Sequence, residues 1–164
     1  MKRIVKHLFI VGLFIFMSQQ SYAHCEIPCG IFHDEVRIAL LKEHFTTIEK
    51  SMIKINELQA EENINYNQLV RWVNNKEEHA NKVQEIVSQY FLHQRVKPVE
   101  AGSEKFEKYQ NELLLLHHLS VYSMKSKQST DVKWIEKLKA TIEKFEASYF
   151  EGKHRHNPDG SHKH

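Results

Sequence analysis

The sequence predicts an all-α protein, an up-down antiparallel four-helix bundle that follows a short N-terminal hook. Apolar residues recur at steps of three and four over four long segments, as amphipathic helices require. Pro28, Pro98 and Pro158 all lie outside those segments, and no segment alternates with period two over a useful length. Short connections between consecutive long helices favour antiparallel neighbours.

The N-terminus has the layout of a secretory signal peptide. Lys2, Arg3 and Lys6 form a positive region, residues 8–17 are an unbroken apolar run, and small residues occupy the positions before a cleavage site at Ala23. The apolar run falls well short of the roughly 20 residues of a membrane-spanning helix, which disfavours an uncleaved anchor. We expect residues 1–23 to be a signal peptide, so that the mature chain is periplasmic or extracellular and has no stable membrane association.

Removal of this leader changes the charge balance. The chain has 23 Lys and Arg and 21 Asp and Glu, and the three basic residues of the leader face no acid there, so the mature chain has a formal net charge of −1. No block of basic residues with interleaved aromatics remains, which argues against nucleic acid as a partner. The remaining length suits one domain with one core.

The domain organisation follows from these patterns: a hook at residues 24–32, a four-helix bundle at 33–151 and a disordered His-rich tail at 152–164. Asn65 with Gln68 three residues later resembles a capping box, and residues 129–131 supply further caps. Residues from about His93 to Ser103 are predicted to form a loop. The apolar positions predicted for the four helices are Ile38, Leu41, Phe45, Ile48, Met52, Ile55 and Leu58; Leu69, Trp72, Val73, Ala80, Val83, Val87, Tyr90 and Phe91; Phe106, Tyr109, Leu113, Leu116, Val121 and Met124; and Val132, Ile135, Leu138, Ile142, Phe145 and Tyr149.

The hook contains the only two cysteines of the chain, Cys25 and Cys29. An oxidising compartment permits a structural disulfide between them. Their spacing excludes a Cys-x-x-Cys redox motif and a haem-attachment motif. A structural zinc site usually needs four side-chain ligands, and only His24, Cys25 and Cys29 are adjacent.

Cleavage after Ala23 would make His24 the N-terminal residue and add two nitrogen donors. The terminal amine, the Cys25 amide nitrogen and the two thiolates form a planar N2S2 set, which suits Ni(II) or Cu(II) better than zinc. The His24 imidazole can then bind axially when the metal is oxidised. One-electron cycling is the natural use of such a site.

The motif His24-Cys25-x-x-Pro28-Cys29-Gly30 resembles the nickel hook of nickel-containing superoxide dismutase, a family of homohexameric four-helix-bundle enzymes. Three further segments, at residues 89–91, 106–109 and 129–131, also resemble family segments in the same order. The resemblance covers most of the mature chain.

This resemblance implies one nickel ion per subunit, with ligands from His24 (amine and imidazole), Cys25 (backbone nitrogen and sulfur) and Cys29 (sulfur). Pro28 and Gly30 would shape the hook. The implied substrate is superoxide, which Ni(III) oxidises to dioxygen and Ni(II) reduces to hydrogen peroxide, and the implied assembly is a homohexamer.

The sequence departs from the family pattern around the ligands. Phe32 stands where the family commonly has a tyrosine, and Glu26 replaces the usual aspartate. Tyr90 matches the other pocket tyrosine and is the candidate for ordering water or substrate. The acid and arginine that orient the axial imidazole in the family fall near Ala39 and His79, so we name Phe32 and His79 as candidates for the surroundings of the metal.

Other histidines have plainer interpretations. His117 and His118 lie in an apolar helix, where paired histidines are more often packed or interfacial than metal-bound. The tail after Gly152 has four histidines and is expected to be solvated, with nickel capture before loading as the weaker hypothesis. Two other functions stay open: an exported nickel- or copper-binding or metal-delivery protein without turnover, and a disulfide-bearing structural helical domain.

Overall fold

The structure, a computed structural model, describes residues 32–152. Its contacts divide the chain into residues 1–30 and residues 31–164, and the first unit lies wholly outside the described residues. The predictions of a leader at residues 1–23, of a hook at 24–32 and of a disordered tail at 152–164 therefore concern residues that, apart from Phe32 and Gly152, the structure does not describe.

Four helices make up the described part of the chain, and no strand occurs between residues 32 and 152. They are α1 (Asp34–Gln59), α2 (Tyr66–Glu85), α3 (Phe106–Lys127) and α4 (Lys133–Phe150). A π-helical segment, Ile86–Arg95, continues α2 without a break. The predicted all-α fold with four helices is confirmed.

Contacts between the helices establish the up-down order. Along each helix, the residues contacted on the neighbouring helix run in the opposite chain direction. This holds for α1 with α2, α2 with α3, α3 with α4 and α4 with α1. The pairs that show this are Ser51 with Asn75, His44 with His79, Lys76 with Ser126, Gln84 with Ser120, Asn111 with Ser148, Tyr122 with Trp134, Glu49 with Lys139 and Lys42 with Glu146.

The core lies between the four helices and is formed mostly by the residues that the helical periodicity predicts. Large side chains with almost no exposed surface fill it along its length: Leu41, Phe45, Ile48, Met52, Phe91, Leu116, Leu119, Ile135, Leu138, Phe145 and Tyr149.

Three apolar positions counted in the predicted helical stripes are instead exposed. Val132 precedes the first turn of α4, and Met124 follows the buried Ser123 and so points about 100° away from it around α3. Val73 belongs with Tyr66 and Val70 to an exposed apolar strip along the first turns of α2.

Predicted cap residues make hydrogen bonds at the starts of α2 and α4. The side chain of Asn65 accepts a hydrogen bond from the Gln68 backbone N–H at 3.2 Å. Asp131 accepts one from the Lys133 backbone N–H at 3.0 Å, at the start of α4. None of the helices in residues 32–152 is long and apolar enough to cross a membrane.

The loop after α2 begins later than predicted. The chain remains helical through Arg95, because hydrogen bonds of the i→i+5 type extend the helix; the Val96 N–H, for example, donates to the Phe91 carbonyl at 2.8 Å. The periodicity of apolar residues did not reveal this change of helix type. It affects Tyr90 and Arg95, both of which lie in the π-helical segment.

Candidate metal centre

The candidate nickel ligands precede the described residues. The sequence analysis predicts His24, Cys25 and Cys29 as the donors, with Pro28 and Gly30 between and beside them. The chemistry of this set fits nickel, since two thiolates, an amide nitrogen and an amine favour a square-planar divalent ion. Within residues 32–152 no group of three or more His, Cys, Asp or Glu side chains is arranged to hold a metal ion.

At the start of the described chain, the carboxylate of Asp34 lies at the centre of a buried polar cluster. Tyr90 donates its hydroxyl proton to Oδ1 at 2.7 Å, and Tyr149 donates to Oδ2 at 2.8 Å. Arg95 donates from Nε to Oδ1 at 2.8 Å and from Nη2 to Oδ2 at 2.6 Å. We call these four residues, Asp34, Tyr90, Arg95 and Tyr149, the Asp34 cluster.

The electrostatics of this cluster keep its acid ionised and its phenols neutral. Burial acts to raise the pKa of Asp34, but the hydrogen bonds from Arg95, Tyr90 and Tyr149 outweigh it, and the net effect lowers that pKa. Burial, followed by the hydrogen bond to the Asp34 carboxylate, raises the pKa of Tyr90 and of Tyr149 far above the ordinary value for a phenol. The hydrogen bond to Asp34 raises the pKa of Arg95 further.

Phe32 is held against this cluster by its ring. The Arg95 guanidinium carbon lies 4.2 Å from the centroid of the Phe32 ring, a cation–π geometry. The Phe32 and Tyr90 rings meet edge to face with centroids 5.9 Å apart. On Tyr90, the Arg37 guanidinium lies 4.9 Å from the ring centroid. The structure therefore brings together two of the predicted site residues, Phe32 and Tyr90.

The π-helical segment explains how Tyr90 and Arg95 reach one carboxylate. In an α-helix of 3.6 residues per turn, side chains five positions apart point about 140° away from each other. Hydrogen bonds of the i→i+5 type widen the turn, so that residues five apart come close to the same face. π-Helical turns of this kind occur frequently at functional sites.

Asp34, Arg95 and Tyr149 were not among the residues that the sequence predicted for the site. At the positions where the family's acid and arginine fall, the chain has Ala39, which is exposed, and His79, which pairs with another histidine. A buried acid–arginine pair does exist, but it joins Asp34 to Arg95. These two residues are far apart in sequence, and Arg95 lay in a predicted loop, so no local pattern pointed to the pair.

His79 lies well away from Tyr90. Its Nδ1 is 3.1 Å from Nδ1 of His44 on α1. It precedes Tyr90 by eleven positions on the same helix, or roughly 16 Å at the α-helical rise. His118 stacks on Tyr122 with ring centroids 5.5 Å apart, in keeping with the packed role predicted for that histidine.

Comparison with known proteins gives one match. The family model of nickel-containing superoxide dismutase matches residues 19–153, which include the hook and all four helices. No curated protein and no solved structure matches the chain. With most of its length matched by that model, the chain belongs to the nickel-containing superoxide dismutase family and is an oxidoreductase with nickel as its cofactor.

Proposed function

We propose that this protein disproportionates superoxide at a nickel ion held by its processed N-terminus. The observation that carries the proposal is the donor set His24, Cys25 and Cys29, which lies inside the region matched by the family model. Nickel bound there would supply one-electron exchange between Ni(II) and Ni(III), so that two superoxide ions and two protons give one dioxygen and one hydrogen peroxide.

The proposal requires cleavage after Ala23. Only a free amine at His24 completes the proposed donor set, because in a continuing chain that nitrogen would be a second amide, which binds a metal ion only after it loses its proton. The basic residues, apolar run and small residues of the first 23 positions support such processing. They also support export, so we place the mature enzyme in a periplasm or outside the cell.

Each hook residue then has a role. The amine of His24, the backbone nitrogen of Cys25 and the sulfurs of Cys25 and Cys29 would hold the nickel ion, and the His24 imidazole would be a further ligand. The thiolates and the amide anion favour the higher oxidation state by donating charge. Pro28 and Gly30 would shape the turn that brings the second sulfur back to the first.

We further propose that the enzyme is a homohexamer, as its family resemblance implies. Several large apolar side chains are exposed on the described chain, which is what a subunit interface would use. The most exposed are Ile53, Tyr66, Val70 and Leu114.

Native mass spectrometry of the exported protein tests the processed site and the assembly together. We expect a chain that starts at His24 with one nickel per subunit, in a hexamer. Superoxide consumption measured on the same sample tests turnover. A nickel-loaded protein that does not consume superoxide would instead be the metal-binding or delivery protein considered above.

A matched pair of variants isolates the role of the terminal amine. One carries a single alanine inserted between Ala23 and His24, so that every side chain is kept but the amine is displaced by one residue. The other, Glu26→Asp, changes the hook without touching a donor. We expect the insertion, like Cys25→Ser and Cys29→Ser, to lose bound nickel and activity, and Glu26→Asp to keep both. Full activity in the insertion variant would exclude the proposed site.

A further inference from the structure

We propose that Asp34 is a positioning residue for the nickel hook, and that Tyr90 acts through it rather than as a proton donor. The proposal rests on the proposed function, because it takes the metal to be bound at residues 24–29. It goes beyond that function by assigning a task to the Asp34 cluster, of which only Tyr90 was a predicted site residue.

The carboxylate of Asp34 is fully used within the protein. An ionised carboxylate has about four acceptor positions, two on each oxygen. Oδ1 accepts from Tyr90 and from Nε of Arg95, and Oδ2 accepts from Nη2 of Arg95 and from Tyr149. No acceptor position is left for water or substrate, so Asp34 is not placed to act as a base.

The hydroxyl groups of Tyr90 and Tyr149 do not transfer protons to or from solvent. Each has one proton and donates it inward to Asp34, and the exposed fractions of Tyr90 and Tyr149 are 3% and 1%. The hydroxyl of Tyr90 also has a hydrogen bond with the His33 backbone, which acts to lower the pKa of Tyr90, and its proton is donated to Asp34. The cluster is therefore a rigid joint of four charge-assisted hydrogen bonds rather than a path for protons.

This joint fixes the residue at which the hook leaves the bundle. Phe32 contacts both Arg95 and Tyr90, as given above. Only three residue steps separate Phe32 from Cys29, which at 3.8 Å per step limits the distance between their Cα atoms to about 11 Å. Because so few residues lie between them, a displacement of Phe32 would also displace the sulfur of Cys29.

The π-helical segment gives independent support. Hydrogen bonds of this type are rare outside single turns and replace more regular α-helical ones. Here they bring Tyr90 and Arg95 to the same carboxylate, which a continuous α-helix would not do. Arg37 of α1 is a further charged group beside this cluster, since its guanidinium lies over the Tyr90 ring.

The test uses the mature, nickel-loaded protein and the variant Asp34→Asn. Asparagine keeps the shape but has one acceptor oxygen, and its NH₂ group would face Arg95. Because every nickel donor lies in residues 24–29, we expect nickel content to stay at one ion per subunit. We expect the electron paramagnetic resonance signal of the oxidised ion to shift or broaden, and superoxide consumption to fall by about tenfold or more.

Two further variants keep the inference testable if Asp34→Asn folds poorly. Phe32→Leu removes the ring contacts and leaves the buried hydrogen bonds intact, and it should change the resonance signal in the same way. Tyr90→Phe removes the phenol proton; if that proton were delivered to substrate, the pH profile of activity would change shape. We expect an unchanged profile with a lower plateau. Lys76→Met, far along α2 from the cluster, is the control for lost stability and should leave the signal unchanged.

The outcomes separate the two proposals. A wild-type protein without a nickel signal would exclude the proposed function and the positioning role with it. A wild-type signal that is unchanged in both Asp34→Asn and Phe32→Leu would exclude the positioning role alone. A changed pH profile in Tyr90→Phe would show that Tyr90 delivers a proton, which contradicts the inference.

Discussion

The imidazoles of His44 and His79 meet across the α1–α2 interface with their Nδ1 atoms 3.1 Å apart and their rings nearly perpendicular, at 76°. One Nδ1 must donate and the other must accept, so at least one ring has to be neutral. Burial is the main cause that lowers the pKa of both histidines. For His44, the charge of His79 is the next cause and acts in the same direction. Lys82 acts in the same direction, whereas Glu43 acts to raise both values and Glu78 acts to raise that of His79.

Stability should therefore fall in mild acid. The pKa of each histidine is lower in the folded protein than the ordinary value of 6.5, so the unfolded chain binds more protons as the pH drops below that value. The stabilisation is fully present above pH 6.5 and is lost as the pH falls below it. Urea unfolding at pH 7.5 and pH 5.5 measures the change, and His44→Gln should reduce it.

His117→Gln is the matched control for that measurement. His117 is exposed on α3, and its removal should leave the difference between the two pH values as in the wild type. An equal reduction in both variants would mean that the acid sensitivity does not come from the pair.

Lys76 is predicted to stabilise the end of α3. Its side chain is almost fully buried, and its ammonium donates to the carbonyl oxygens of Ser126 at 3.0 Å and of Ser129 at 3.3 Å, and to that of Lys127 as well. These carbonyls include ones that a helix end leaves without partners. Lys76→Met would leave the Ser126 carbonyl buried without this donor, and we expect a loss of about 1–3 kcal/mol in the free energy of unfolding, measured by chemical denaturation.

Lys82→Met on the same helix controls for the loss of one positive charge. Lys82 pairs with Glu78 at the surface, where such i,i+4 pairs contribute about 0.3–0.5 kcal/mol. A similar loss in the two variants would argue that Lys76 contributes only its charge.

Most of the four-helix bundle could be predicted from local sequence patterns. The spacing of residues such as Leu41, Phe45, Ile48 and Met52 predicts which face of α1 is buried. Asn65 marks the start of α2 through a hydrogen bond to a residue only three positions later. Both signals lie within one or two helical turns. They could be recognised without knowing what the helix packs against.

The residues around the proposed site could not be predicted from local sequence patterns. Asp34 meets Arg95 and Tyr149 only because α1, α2 and α4 come together at one end of the bundle, and these partners are 61 and 115 positions from it. The π-helical segment that aligns Arg95 has no signature in the spacing of apolar residues. The proposed nickel donors could be predicted from the sequence for the opposite reason, because they all lie within six consecutive residues.

Phe91 is predicted to contribute strongly to stability through aromatic packing. It has no exposed surface, and its ring centroid lies 5.1 Å from that of Tyr90, 5.0 Å from that of Phe145 and 5.6 Å from that of Tyr149, all near perpendicular. Phe91→Ala should cost about 3–5 kcal/mol in the free energy of unfolding. Glu62→Ala, at an exposed residue in the bend after α1, should stay within about 0.5 kcal/mol of the wild type.

Removal of nickel should leave the bundle folded. The proposed ligands all lie before Phe32, whereas the buried core within residues 32–152 runs from Ile38 to Phe150. Small domains that depend on a structural metal unfold without it, because the metal replaces a core that they lack. Here four helices bury a continuous core of their own. We therefore expect the helical circular dichroism of the protein to be unchanged after nickel is extracted, and its melting temperature to shift by no more than a few degrees. Cys29→Ser, which should lose nickel without any chelator, provides the matched sample, and loss of helical signal in both would show that the metal holds the bundle together.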